Sequence, residues 1–152
     1  MHLKDAPNNI NPLNQLNCLN ANLRKASRVI LSLYMDEMRE SDVSGTQFTL
    51  LSAIAGFKEA KIGELAEFMS MDQTTVTRNV NLLKKGGYVA VFSGSDKRTR
   101  VVHLTEKGQR TVESTQPMWM KAQQKIWSEL GEEKALQLLE ISELIVQMNK
   151  KK

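Results

Sequence analysis

The sequence predicts a mainly α-helical chain with a single small β-hairpin. Three observations carry this. Apolar residues recur at three- and four-residue steps over most of the 152 residues, the period of an amphipathic helix. The helical stretches are punctuated by capping residues and glycines, at Ser41 to Gly45, Asp72, Gly86–Gly87 and Gly131. Two short runs, YVAVF and RVVHL, are instead rich in β-branched and aromatic residues, and the loop between them, SGSDKRT, is too long for a tight two-residue turn.

Residues 1–11 are polar, with Pro7 and paired asparagines, and read as a loose tail. Asn11–Pro12 opens a helix, because Asn can cap and Pro is tolerated at the first helical position. Leu16, Leu19, Leu23, Ala26, Ile30 and Leu33 then form one stripe, which gives a helix over about 12–40. Thr46 caps a second helix, TQFTLLSAIAGF, with Phe48, Leu51, Ile54 and Ala55 on one face and Gly56 near its end. IGELAEFM forms a short third helix. Asp72 caps a fourth, QTTVTRNVNLLKK, closed by Gly86–Gly87. After the hairpin, Thr105 caps a helix that Pro117 should kink, since its ring removes one backbone donor and crowds the preceding turn. The last helix, EEKALQLLEISELIVQMNKK, follows Gly131. The chain thus divides into a tail (1–11), a first helix and link (12–45), a central lobe (46–104) and two C-terminal helices (105–152).

Composition narrows the function class. Hydrophobic residues make up 41% and charged residues 25%, as in ordinary globular proteins. The N-terminus has no apolar h-region, and no apolar run approaches the roughly 18 residues of a membrane span. The expected compartment is the cytoplasm, with no membrane partner. One cysteine, Cys18, and two distant histidines, His2 and His103, offer neither a disulfide framework nor a metal ligand set, so no metal or cofactor is expected. No nucleophile–base pair, carboxylate pair or phosphate-binding loop stands in the right context for an enzyme. The net charge is +4. Residues 72–103 hold Arg78, Lys84, Lys85, Lys97, Arg98 and Arg100 against Asp72 and Asp96, so that segment carries the whole excess and the rest sums to zero. A polyanion-binding face requires such a local concentration.

A short helix joined by the turn Ser70–Met71 to a capped polar helix is the helix-turn-helix arrangement, and the hairpin behind it makes the winged form. In the capped helix Val76, Val80 and Leu83 share a face and should bury. Gln73, Thr74, Thr75, Thr77, Arg78, Asn79 and Asn81 remain for the other side. Thr and Asn are poor helix formers, and their concentration here points to a use other than helicity. They are short or amide-bearing groups, suited to base edges and phosphates of double-stranded DNA. In the wing, Asp96, Lys97, Arg98 and Arg100 form a thin basic projection of the kind that fits a minor groove, with Asp96 orienting its neighbours.

These stretches resemble the multiple antibiotic resistance regulator (MarR) family: TQFTLLSAIA, then IGELAEFMSMDQTTVTRNVNLLKKGGYV, then SDKRTRVVHLTEKG. The family's wing pattern is matched by Asp96, Arg98, Leu104, Thr105 and Gly108, and the resemblance runs from about residue 13 to the C-terminus. It departs at Lys61, where the family often has a Thr or Ser cap. The resemblance implies an obligate homodimer in which the first and last two helices interlock with the partner. It places Thr75 and Arg78 in the major groove and Arg98 in the minor groove. It further implies a transcriptional regulator, most commonly a repressor, released from a pseudo-palindromic operator by a small-molecule effector.

Tyr34, Phe48 and Trp119 are the candidate lining of an effector pocket, each competing with a plain role in core or dimer packing. Cys18 is a candidate redox thiol, the basis of an alternative reading as an oxidant-sensing repressor. In the peroxide-sensing branch of the family the cysteine aligns with Asn20, two residues along, which is about 200° around a helix. Cys18 would also lie nearly two turns inside its helix, beside Leu16 and Leu19, and this predicts a small packing residue. A winged helix that binds protein is a further alternative, separable by the salt dependence of DNA binding.

Overall fold

The structure, a computed structural model, describes residues 18–57, 59–94 and 99–150. The expected tail, the helix start at Asn11–Pro12 and the wing-tip residues Asp96, Lys97 and Arg98 lie outside the described residues. The first helix, α1 (Leu19–Glu37), begins immediately after Cys18, which is extended at φ −82° and ψ 109°. This corrects the expectation of a helix running through residue 18. The segment is rich in asparagine, a poor helix former. The Asn22 amide donates to the Cys18 carbonyl at 3.0 Å, so that carbonyl is served at the start of the helix.

α2 (Gly45–Gly56) is capped by Ser44, not Thr46. The Ser44 hydroxyl accepts the Gln47 N–H at 3.3 Å, and the Gln47 carboxamide accepts the Ser44 N–H at 2.9 Å. Two orphan donors are thereby satisfied by one reciprocal box, which a threonine two residues later cannot reproduce. The chain then forms β1 (Ala60–Lys61), α3 (Ile62–Phe68) and α4 (Gln73–Lys85). The link between α3 and α4 turns at Ser70, in the left-handed region at φ 50°. β2 (Val89–Ser93) and β3 (Arg100–Leu104) form the wing. The sheet has three antiparallel strands in the order β1-β3-β2, with Val102 paired to both Ala60 and Val91. β1 was not foreseen, because two residues show no alternation.

Leu51, Leu65, Val76, Val80, Leu83 and Val102 form the centre of the core, with Met38 from the end of α1 closing it. α5 (Glu106–Leu130) runs through Pro117 as one helix, and Gly131, at φ 77°, separates it from α6 (Glu132–Lys150). A polar seam ties α1 and its exit to α5. The Tyr34 hydroxyl donates to the Gln123 carboxamide, and the Ser41 and Thr115 hydroxyls lie 3.1 Å apart. Glu37 meets Lys121 at 2.9 Å and Lys125 at 3.4 Å. The hydrogen bond from Lys121 holds the Glu37 carboxyl below its ordinary range and Lys121 above its own.

The start of α5 is locked to the end of α4. The Thr105 hydroxyl accepts the Gly108 N–H at 3.1 Å and donates to the Gly87 carbonyl at 2.7 Å. Lys107 donates to the Gly86 carbonyl at 2.8 Å and lies 4.2 Å above the Tyr88 ring. A Cβ at position 108 would stand 2.0 Å from the Tyr88 carbonyl oxygen, so only glycine fits.

Elsewhere the helices are left bare. α1 has no fully buried residue, and among the described residues of α6 only Ala135 is buried. Leu23, Leu31 and Met35 on α1, and Leu136, Leu139, Leu144 and Met148 on α6, are exposed. Among the described residues, no helix is long and apolar enough to cross a membrane.

Candidate nucleic-acid interface

α4 buries the face the sequence predicts, Val76, Val80 and Leu83. At 100° per residue, Gln73, Thr74, Thr77, Arg78 and Asn81 fall on an outward arc of about 140°, which Lys84 and Lys85 share. The two lysines were not among the expected site residues, although helical spacing alone puts them there. The arc is exposed except for half-buried Thr77. Thr75 and Asn79 sit at its flank, half-buried and engaged with their own helix. Thr75 donates its hydroxyl to Asp72 at 2.6 Å, and Asn79 donates its amide to the Thr75 carbonyl at 3.0 Å.

The same contacts fix where α4 begins. Asp72 accepts from the Thr75 hydroxyl and, at 2.8 Å, from the Thr75 N–H, and these bonds hold its carboxyl below the ordinary carboxylate range. A carboxylate there also complements the positive end of the helix. At α3 the reciprocal box is half made. Lys61 has no acceptor to offer, but its N–H and its ammonium both reach Glu64 at 3.4 Å.

The wing and α4 share a groove of about 470 Å³, lined by Lys61, Gln73, Thr77, Asn81, Thr99 and Arg100 among others. Arg100, opposite Ser93 in the ladder, thus stands beside the polar face of α4. Among the described residues, Arg78, Lys84, Lys85 and Arg100 take part in no ion pair. Four uncompensated cations on one face produce a positive field directed at solvent.

Of the three candidate pocket residues, two line a cavity of about 440 Å³ between α2 and α5. Phe48 and Trp119 do so, together with Ser52, Gly56, Val112 and Gln116. Tyr34 stands behind it, its ring 6.1 Å from that of Trp119, and burial pushes its hydroxyl pKa up. Phe48 is also a core residue, so packing and lining are both its work. Cys18 corrects its expectation. It is exposed at the N-cap position of α1, because the helix starts one residue after it and not about two turns before it.

The sequence profile of the MarR family matches residues 41–99, which span α2 to the wing. An uncharacterized HTH-type transcriptional regulator of Bacillus cereus is 27% identical over 116 residues, covering 76% of this chain and 78% of its own. The M. tuberculosis transcriptional regulator MOSR, solved in complex with DNA, superposes with a TM-score of 0.80 at 26% identity, covering 88% of this chain and 97% of that one. Bordetella bronchiseptica BpsR, whose DNA binding is regulated by 6-hydroxynicotinic acid, gives a TM-score of 0.76 at 21% identity, with 84% and 91% covered. Residues 41–99 thus match the MarR family, and with its capped polar helix, its wing and its flanking helices the chain as a whole is similar to transcriptional regulators of the winged helix-turn-helix fold.

Proposed function

We propose that this protein is a homodimeric, sequence-specific regulator that binds a pseudo-palindromic operator through α4 and the wing, and acts as a repressor released by a small-molecule effector. The observation that carries the reading is the juxtaposition of the outward arc of α4 with Arg100 across one groove, with cations that no described carboxylate neutralises. Gln73, Thr74, Thr77, Arg78 and Asn81 are assigned to the major groove, with Thr75 and Asn79 supporting them. Lys97, Arg98 and Arg100 are assigned to the wing contact, with Asp96 orienting them. Residues 46–104 form the DNA lobe, and 12–45 with 105–152 the dimer base. The MOSR complex with DNA supports this use of the fold. The cavity bounded by Phe48 and Trp119 is the effector site, between the lobe and the base.

The test is selection of bound fragments from genomic DNA with the purified protein. A palindrome with half-sites about one helical turn apart, roughly 10 base pairs, is expected. Fragments without a shared motif, bound equally well, contradict the proposal.

The exposure of Cys18 favours a second reading, release by oxidation, since an exposed thiol is open to an oxidant from solvent. Operator affinity of wild type and Cys18→Ser after mild organic hydroperoxide separates the two. Release of wild type alone makes the thiol the sensor.

A further inference from the structure

Lys61 stands where a lysine costs stability. It is the N-cap residue of α3, where a side-chain acceptor would serve the first N–H groups, and its ammonium has no acceptor to offer. A cation there also faces the positive end of the helix. The ammonium reaches Glu64 at 3.4 Å, but the two side chains are 42% and 44% exposed, and solvent leaves such an ion pair weak. A residue that breaks a local rule with so little return points to a use outside the fold.

Its surroundings identify that use. Lys61 lines the groove between α4 and the wing, together with Gln73 and Asn81 of α4 and Arg100 of β3. The Gln73 amide nitrogen lies 3.6 Å from where a Cβ on Gly63 would stand, so α4 begins directly beside the start of α3. Among the described residues, no acidic side chain lines the groove, and Lys61 and Arg100 make it positive. A duplex whose major groove receives α4 and whose adjacent minor groove receives the wing has one sugar–phosphate strand between the two. That strand has to run through the groove in which Lys61 stands.

We infer that Lys61 binds a backbone phosphate of the strand held between α4 and the wing, and that Glu64 competes with that phosphate for its ammonium. The inference rests on the reading of α4 and the wing as the DNA-binding surface, and adds a contact that fixes register without reading sequence. In the free protein the Glu64 carboxylate restrains the lysine. On DNA a phosphate replaces it, and the contact releases a condensed counterion, a gain that Glu64 does not offer.

The test measures Kd against salt for the full-length protein, on a duplex recovered by the genomic selection and on a scrambled duplex of equal length. In the proposed dimer each copy supplies one Lys61. Lys61→Thr should therefore make the slope of log K against log salt shallower by about 1.8 on both duplexes, twice the contribution of one phosphate contact. Its melting temperature should stay level or rise, because threonine caps a helix. Lys61→Arg should keep the wild-type slope. Glu64→Gln retains an oxygen for the Lys61 N–H and removes the competing charge, so it should tighten binding to both duplexes about two- to fivefold. An unchanged slope in Lys61→Thr overturns the inference and leaves the DNA-binding surface standing. So does a loss confined to the selected duplex, which marks a base contact, or a loss that comes only with a lower melting temperature, which marks a structural role. A wild-type protein with no salt-dependent binding to either duplex overturns the inference and the surface together.

Discussion

Arg78 stands on the outward arc of α4 with its side chain exposed and no carboxylate among the described residues to neutralise it. Arg78→Ala should weaken specific DNA binding by about 1–3 kcal/mol and leave the fold intact, because the side chain is exposed. A gel-shift titration with a selected operator reads this, and an unchanged midpoint contradicts the assignment. Arg78 was legible in the sequence because helical spacing alone sets it opposite Val76, Val80 and Leu83. Thr75 and Asn79 were not legible in the same way. Their hydrogen bonds go to Asp72 and to the Thr75 backbone, and a residue-type argument sees only the free side chain. Cys18 shows the same limit. Its place depended on the residue at which α1 begins, and periodicity carries no information on that.

At the scale of elements, α4 depends on Asp72 for its first turn. Asp72→Ala should lower the melting temperature and weaken DNA binding by loosening that turn. The hydrogen bonds from Thr75 depress the Asp72 pKa in the folded protein. The stability they confer is therefore present above the unfolded aspartate pKa, near 4, and is lost as pH falls through the lower folded value. Thermal melts of wild type and Asp72→Ala should differ at neutral pH and converge in strong acid. A difference that persists in acid would assign the effect to packing instead. The two caps Asp72 and Thr105 were legible, because each is an acidic or hydroxyl residue at the head of a helical pattern. Ser44 was missed because Thr46 offered an equally plausible cap, and only the reach of Gln47 decides between them. β1 was missed because its pairing with β3 is a tertiary event between residues about 40 apart, with no local pattern to announce it.

For the molecule as a whole, the exposed apolar residues of α1 and α6 are the strongest argument for a partner. Fully covering a leucine is worth about 1.5–3 kcal/mol, and Leu136, Leu139 and Leu144 are each more than half exposed. Deleting residues 131–152 should abolish dimerisation and operator binding together, and sedimentation velocity of the truncated protein reads the first. A truncated chain that sediments as a folded dimer contradicts the proposed base. The overall architecture was legible because long helices advertise themselves by period and glycine. The wing tip, by contrast, enters the reading only as composition. The lock between α4 and α5 has a mechanical meaning. Thr105, Lys107 and Gly108 weld the lower end of α5 to the last turn of α4, so the two ends travel as one piece. With 25 residues, α5 is a rod of about 37 Å. A tilt of about 5° at its upper end swings the lower end by about 3 Å, close to the 3.4 Å that separates successive nucleotides of one strand. An adjustment that is small at one end of α5 would thus displace α4 at the other by nearly the step of one base pair.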